Sequence, residues 1–241
     1  LVVLMSLIEE LKKVLGDQNV LTGADKERYS LDWLGQYRFE PLCVVRPASS
    51  EEVSKVVRLA GSFQVNIVPV GGNTGLNGGT HSDNAISISM ERMNKICEVR
   101  LNSKIAIVEA GAILANLHQL VNENDLIFPL TFGARGSATI GGVLSTNAGG
   151  SNVLKYGNTR DLVLGVEIVL PNGEIMNLMS ELHKDNSGYC LRDLVIGAEG
   201  TLGIITKAVL KLFPKPKAYA TAMVAVKSLD SALVLLNELQ D

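Results

Sequence analysis

Glycine is the residue type through which this sequence could do chemistry. Its 23 glycines are clustered rather than spread. The densest run, Gly71-Gly72-Asn73-Thr74-Gly75-Leu76-Asn77-Gly78-Gly79, holds five in nine residues. A second region extends from Gly133 to Gly150, and a third is Gly197-Ala198-Glu199-Gly200-Thr201-Leu202-Gly203. A glycine loop after a strand has two uses. It makes a tight turn at positive φ, or it brings backbone N–H groups against an anion with no Cβ in the way. One loop alone reads more readily as a turn. Three loops interleaved with Asn73, Thr74, Ser137, Thr139, Asn147 and Thr201 carry neutral donors and acceptors. Such groups suit a pyrophosphate, a ribose or a heterocycle. An α+β fold with many short strands also needs many turns, and that simpler reading stands beside the first.

Other chemistry is sparse. No two glycines are spaced by a single residue, so GxGxxG is missing and a Rossmann dinucleotide site is disfavoured. GxxxxGK[ST], HExxH and GxSxG are also missing. The three histidines, His81, His118 and His183, lie far apart, so no metal is expected. His118 falls in a helical stretch and His183 in a polar one, and both read as structural or solvated. His81 follows the first glycine loop and is the one histidine placed to approach a ligand.

The elements that must position these loops are legible from periodicity and turn residues. Ser6-x-x-Glu9 reads as a capping box before Leu7, Ile8, Leu11, Val14 and Leu15 on one helical face. Leu42 to Arg46 is a strand. Ser49-x-x-Glu52 caps a helix carrying Val53, Val56, Val57 and Ala60, with Gly61 as its stop. Asn66 to Val70 is the next strand and completes a βαβ unit that delivers the first glycine loop. Ala85–Ser89, Ile96–Arg100 and Ile105–Glu109 read as strands, Ile113–Glu123 as a helix, and Leu126–Leu130 as an apolar run. Val163–Leu170 and Glu174–Leu178 flank Pro171-Asn172-Gly173, a hairpin signal. Ile204–Phe213 is a strand leaving the third glycine loop. Pro214-Lys215-Pro216-Lys217 reads as a boundary. Beyond it a strand (Thr221–Val226) and a helix (Ser231–Leu239) are too few to bury a core alone.

Composition bounds the rest. The chain has 241 residues, 46% hydrophobic and 20% charged, with formal net charge −3. These values argue against disorder and against an overall basic field for nucleic acid or anionic lipid. No apolar run is long enough to span a bilayer. Cys43, Cys97 and Cys190 form no CxxC pair, and the odd count suits a reducing compartment, read as the cytoplasm. The opening Leu1-Val2-Val3-Leu4 is too short for a signal-peptide core and has no basic residues before it. With Met5 close behind, it reads as a non-native remnant.

At this point the motifs become recognisable. Pro69-Val70-Gly71 through Gly79 resembles the first flavin-contacting loop of the FAD-linked oxidase family, whose fold is that of vanillyl-alcohol oxidase and p-cresol methylhydroxylase. Phe128-Pro129-Leu130, then Gly133-Ala134-x-Gly136-Ser137-Ala138-Thr139-Ile140-Gly141-Gly142 and Thr146-Asn147-Ala148-Gly149-Gly150, resembles the second. Asn186-Ser187-Gly188-Tyr189 and Ile196 to Thr206 resemble the third. The three stand in family order over residues 29–216. Lys184 to Tyr189 and Tyr29-x-x-Asp32-Trp33 lean towards the D-2-hydroxyacid dehydrogenases that act on D-2-hydroxyglutarate, D-lactate or glycolate.

The resemblance implies an α+β fold in which FAD lies between two α/β subdomains, with the substrate's Cα hydride passing to flavin N5. It implies residues 1–214 as a p-cresol-methylhydroxylase-type FAD-binding domain and 215–241 as the start of an incomplete substrate domain. Pro69, Gly71, Gly72, Asn73, Thr74, Gly75 and Leu76 would bind the cofactor, the amides of Gly71 to Leu76 at the pyrophosphate. Ser137 and Thr139, with Gly141, Gly142 and Ala148, would line pyrophosphate and isoalloxazine. Pro129, Gly133, Ala134, Gly136, Ile140, Asn147 and Gly149 belong to the same second motif. Gly200 and Ile205 would sit near the adenosine half, beside Gly203 and Ile204. Glu199 divides evenly between capping local amides and touching the cofactor. The first loop reads Gly72-Asn73-Thr74 where some relatives place a flavin-linking histidine, so FAD is expected to be non-covalent.

In the family, the base and the carboxylate anchors form a His-rich, metal-binding set in a C-terminal domain. None of the three histidines matches it, so no catalytic residue is assigned. The chain reads as a truncated enzyme or as a piece that pairs with another subunit or forms a homo-oligomer. Its partners are a small 2-hydroxyacid and an unidentified electron acceptor. Arg38, near Trp33, is either a substrate-carboxylate contact or an exposed arginine without a partner. The face that a second domain would cover is expected to expose apolar side chains. Two alternatives remain: a non-catalytic flavin-binding subunit, or an NADPH-dependent reductase like the UDP-N-acetylenolpyruvoylglucosamine reductases.

Overall fold

The computed structural model describes residues 2–240; Leu1 and Asp241 lie outside them. Helix α1 (Val2–Leu15) buries Leu7, Leu11 and Leu15, which recur every four residues along one face. The capping box expected at Ser6 is not its start. Nothing among the apolar residues upstream breaks a helix, so α1 continues back to Val2 with Ser6 inside it.

Strand β1 (Val20–Leu21) leads to β2 (Cys43–Val45), α2 (Ser50–Ser62), β3 (Ile67–Val70) and β4 (Ile86–Ser89). Their sheet has the order β1-β2-β4-β3, with β2, β4 and β3 parallel and β1 antiparallel at the edge. The βαβ unit is present, with β4 inserted between its two strands. Ser49 caps α2: its Oγ accepts from the Glu52 N–H at 3.2 Å, and the Glu52 carboxylate accepts from the Ala48 N–H at 2.7 Å. The helix passes Gly61 and ends at Ser62; the left-handed residue after it is Gln64, at φ 56°.

A second, wholly antiparallel sheet follows. Its strands are β5 (Ile96–Arg100) and β6 (Ile105–Glu109), then, beyond α3 (Leu114–Asn122), β7 (Leu126–Ile127), α4 (Ile140–Ser145) and α5 (Val153–Tyr156), the hairpin β8 (Val163–Val169) and β9 (Ile175–Leu178). After α6 (Leu191–Val195), β10 (Ile204–Lys211) enters the middle, giving the order β5-β6-β10-β8-β9. The hairpin closes as its sequence predicts, with Gly173 at φ 80° and the Leu170 N–H donating to the Glu174 carbonyl. Strand β11 (Phe213–Pro214) pairs with β7. One continuous buried cluster joins the two sheets, from Leu7 and Val56 through Ile86 to Ile140, Val166 and Leu210.

Helix α2 joins the sheets on their polar side as well. Ser54 Oγ and the Arg58 guanidinium donate to the Gly173 carbonyl, and Ser50 Oγ donates to Glu167 on β8. The expected strand Thr221–Val226 is not formed. Its alternation is strand-like, but a strand exists only with a neighbour to pair with. Tyr219, Met223, Val224 and Val226 are exposed, as are Leu229, Leu233, Val234, Leu236 and Leu239 on α7 (Leu229–Gln240).

Candidate functional site

The three glycine loops converge. The first leaves the C-terminal end of β3, the second runs into α4, and the third precedes β10. Between them lies a cleft of about 710 Å³. Backbone packs directly on backbone there: a Cβ on Gly72 would fall 1.9 Å from the Ser137 carbonyl oxygen, and one on Gly141 would fall 3.1 Å from the Ala110 carbonyl oxygen. Gly200, at φ +81°, brings the third loop against the Pro69 ring. The second and third loops are stitched by the N–H groups of Gly197 and Glu199, which donate to the carbonyls of Leu144 and Ser145. The Arg160 guanidinium adds a bond to the Ile196 carbonyl at 2.7 Å.

Many of the residues expected from sequence border this cleft. Pro69, Gly71, Gly72, Asn73, Thr74, Gly75 and Leu76 do so from the first loop. Thr139, Gly141, Gly142, Asn147, Ala148 and Gly149 do so from the second, and Glu199, Gly203, Ile204 and Ile205 from the third. The structure sets others back from it. Pro129 is buried, and its carbonyl accepts from Asn152 Nδ2. Ile140 points into the core. Gly133, Ala134 and Gly136 form a short 3-10 turn beside the cleft, Ser137 presents its carbonyl to Gly72, and Gly200 lies behind Pro69.

Sequence reasoning missed Met90 and Ala110, which also border the cleft. Met90 follows the C-terminal end of β4 among the parallel strands, where open α/β sheets place ligands, whereas Ala110 follows β6 of the antiparallel sheet and has no such signal. It also missed Thr80, Phe132 and Ser145, next to the quoted motifs, and left Thr146, inside one, unassigned.

The chemistry of the wall is uniform. Among the described residues, the N–H groups of Gly72, Asn73, Thr74, Gly75 and Leu76 make no hydrogen bond to another protein group. Five consecutive amides without a protein partner leave donors free for an anion, as in a backbone anion cradle. Asn73 sits at φ 49°, which curls the loop, and its side chain is spent on holding it: Nδ2 donates to the Leu31 carbonyl and Oδ1 accepts from Thr80 Oγ1. Gly75 has open space where a Cβ would stand. Among the described residues, no Lys, Arg, His, Cys or Tyr borders the cleft, and Glu199 is the one ionisable side chain there. That residue has φ 51°, and its carboxylate caps no amide.

The remaining candidates sit elsewhere. His81 Nε2 lies 3.1 Å from Asp83 Oδ2 and its ring packs on Phe39, outside the cleft. His118 is packed under the second loop, where burial pushes its pKa down. His183 bonds the Ser103 carbonyl. Arg38 is exposed but not alone: it pairs with Glu27. The three cysteines are unpaired. No cluster of His, Cys, Asp and Glu suited to a metal occurs among the described residues, nor any helix long and apolar enough to cross a membrane. Beside the first loop, the turn from Leu31 to Arg38 exposes Leu31, Trp33, Leu34 and Tyr37.

A strand-delivered glycine loop with open amides meets a second glycine loop and the antiparallel sheet at one cleft, an arrangement suited to a cofactor with an anionic centre. The chain belongs to the FAD binding domain family, whose model matches residues 41–179. The D-2-hydroxyglutarate dehydrogenase of Xanthomonas citri pv. viticola is 42% identical over 208 residues, 86% of this chain and 44% of that protein. The mitochondrial D-2-hydroxyglutarate dehydrogenase of Arabidopsis thaliana is 39% identical over 231 residues, 94% of this chain and 41% of its own. Among solved structures, an alkyldihydroxyacetonephosphate synthase superposes with a TM-score of 0.79 at 27% identity, covering 89% of this chain and 41% of that one. The chain spans about half the length of the curated relatives it matches.

Proposed function

We propose that this chain is the FAD-binding part of an oxidoreductase that oxidises a D-2-hydroxyacid to the 2-oxoacid, D-2-hydroxyglutarate being the first candidate and D-lactate or glycolate the next. The observation that carries the reading is the row of open amides from Gly72 to Leu76 beside a cleft bordered by neutral groups. A pyrophosphate is the anion such a row fits, because several neighbouring N–H groups can share its oxygens and Gly72 and Gly75 bring no Cβ of their own. FAD, when bound, would accept the hydride from the substrate Cα. The chain's own residues bind and orient: the amides hold the phosphates, and Met90, Phe132, Ile204 and Ile205 supply apolar wall that excludes water. The residues of the sequence reading that border the cleft are the contacts we assign to FAD.

Attachment is non-covalent in this reading, since no His, Cys or Tyr borders the cleft to form a flavin bond. The substrate base and the cations for its carboxylate are not among the cleft residues. That favours a division of labour, in which residues 1–214 hold the flavin and further residues or another subunit complete the chemistry. The same observation supports the second reading, a flavin-binding subunit without turnover of its own. The exposed Trp33, Leu34 and Tyr37 beside the cleft suit such a partner face. We assign the cytoplasm as compartment on the three unpaired cysteines.

The test is the visible spectrum of the purified chain before and after heat denaturation. A yellow protein that releases free FAD supports the reading. Colour retained by the precipitate refutes the non-covalent link. A chain that takes up no flavin when incubated with FAD and desalted refutes flavin binding by this unit. Dye reduction with D-2-hydroxyglutarate by the flavin-loaded chain would refute the division of labour.

A further inference from the structure

Strand β10 is irregular where it leaves the cleft. Ile205 pairs with Ile168 of β8, yet the next β8 partner, Glu167, faces Lys207. Thr206 is the extra residue of a β-bulge, a feature that bends a strand and re-aims what precedes it. What precedes it is Ile204 and Ile205, both on the cleft wall.

The bulge is held by polar groups that the flavin site does not use. Thr206 is fully buried, and its Oγ1 donates to Glu167 Oε1 at 2.9 Å and lies 3.2 Å from the Glu167 carbonyl. The same carboxylate oxygen receives Ser50 Oγ at 2.5 Å and stands 3.0 Å from Lys207 Nζ. Ser50 is the first residue of α2, so the carboxylate ties the parallel sheet's helix to the antiparallel sheet. On its other side, Thr206 accepts through its carbonyl from the Ala110 N–H at 2.9 Å, and the Ala110 carbonyl accepts from Gly141 at 2.6 Å. Thus one buried residue is bonded towards both walls of the cleft.

We propose that Thr206 and Glu167 are positioning residues for the flavin: the Glu167 carboxylate locks the Thr206 bulge, and the bulge sets the backbone of Ile204 and Ile205 against the cofactor. The proposal rests on the reading of the cleft as an FAD site. A hydroxyl is required at position 206, whereas its methyl group only fills space. Thr206→Ser keeps the hydroxyl, and Thr206→Val keeps the shape and deletes it. Glu167→Gln removes the charge from the other partner.

FAD affinity, measured by quenching of flavin fluorescence on the 241-residue chain, reads the effect, with the visible flavin band and the unfolding midpoint of the flavin-free protein alongside. We expect Thr206→Val and Glu167→Gln to weaken FAD binding about tenfold, the size expected for loss of a hydrogen bond to a charged group. Both should shift the flavin band, while Thr206→Ser restores affinity and band to within about twofold of the parent. If the parent chain binds FAD and Thr206→Val binds it equally well, the positioning role is wrong and the flavin reading stands. If Thr206→Val fails to fold, Glu167→Gln with a parental affinity and band has the same force. A flavin-free midpoint that falls in step with affinity in Thr206→Val, with no band shift, reduces the pair to general stability and also overturns the proposal. If the parent itself takes up no FAD, both readings fall.

Discussion

Gly72 and Gly75 lie three residues apart in one loop and should answer an added methyl group in opposite ways. At Gly72 the new Cβ would stand 1.9 Å from the Ser137 oxygen, 2.8 Å from its carbonyl carbon and 3.1 Å from the Ala138 Cα. All three are backbone atoms, so no side chain can swing aside; the loops must part by about 1.5 Å to reach ordinary contact. Overpacking of this kind costs about 1–3 kcal/mol, which for a chain of this size lowers the unfolding midpoint by roughly 3–10 °C. At Gly75 nothing stands within 4 Å and φ is not positive. Gly75→Ala should therefore leave the flavin-free midpoint unchanged or raise it slightly, by about 0.4–1 kcal/mol through the unfolded chain. Its Cβ would instead intrude on the space before the open amides, and FAD affinity should fall about tenfold. Differential scanning fluorimetry and a flavin titration on both variants decide the matter. Gly75→Ala with parental FAD affinity would refute the claim that the open space exists for the phosphates. Gly72→Ala with a parental midpoint would refute the packing argument.

Three further outcomes are expected. Because amides rather than cations face the ligand, FAD affinity should change less than about threefold between 50 and 500 mM salt, where a lysine or arginine clamp would be strongly screened; a tenfold loss in the titration would count against the neutral cradle. Burial pushes the carboxyls of Glu167 and Glu91 up, but the bonds to Glu167 from Ser50, Lys207 and Thr206, and those to Glu91 from Tyr29 and Arg46 with the Arg28 charge, outweigh it and leave both below the usual range. Folded values below unfolded ones give stability that is present above about pH 4.3 and lost as pH falls through the folded values, so midpoints should hold from pH 7 to about 5 and drop below that; Glu167→Gln should flatten the drop. Finally, trypsin should cut first after Lys217 and Lys227, which flank exposed, unpaired backbone, leaving a protected fragment up to β11; first cuts within either sheet would contradict the boundary at Pro214.

Much of the scaffold was legible because its signals are local. Apolar runs gave the strands, Pro171-Asn172-Gly173 gave the hairpin, and Ser49 with Glu52 gave the start of α2. What failed was decided at a distance. Ser6-x-x-Glu9 has the letters of a cap, yet the helix begins earlier because nothing upstream stops it. Thr221–Val226 has the alternation of a strand, yet no neighbouring strand meets it. The glycines were read as one class but do different work: Gly75 is open to the cleft, Gly72 admits Ser137, and Gly165 makes room for the backbone of β9's end at Leu178. Asn73 was read as a ligand contact and does border the cleft; what its type did not show is that its side chain also ties the loop to Leu31 and Thr80. The Thr206 bulge left no mark in the sequence, since its partners Glu167 and Ser50 lie 39 and more residues away.

The backbone contact of Gly72 on Ser137 also bears on exchange rates. Two lobes that touch through side chains can loosen one rotamer at a time. Here the seam is peptide against peptide, so it moves only when backbone moves. The cleft beside it stands open to solvent, with Gly75 and Leu76 exposed on its border. A ligand can therefore enter and leave along the open side while the seam stays shut. Exchange is then set by the contacts made in the cleft rather than by a wait for the loops to part, so residence time should follow affinity across the Gly75 variants.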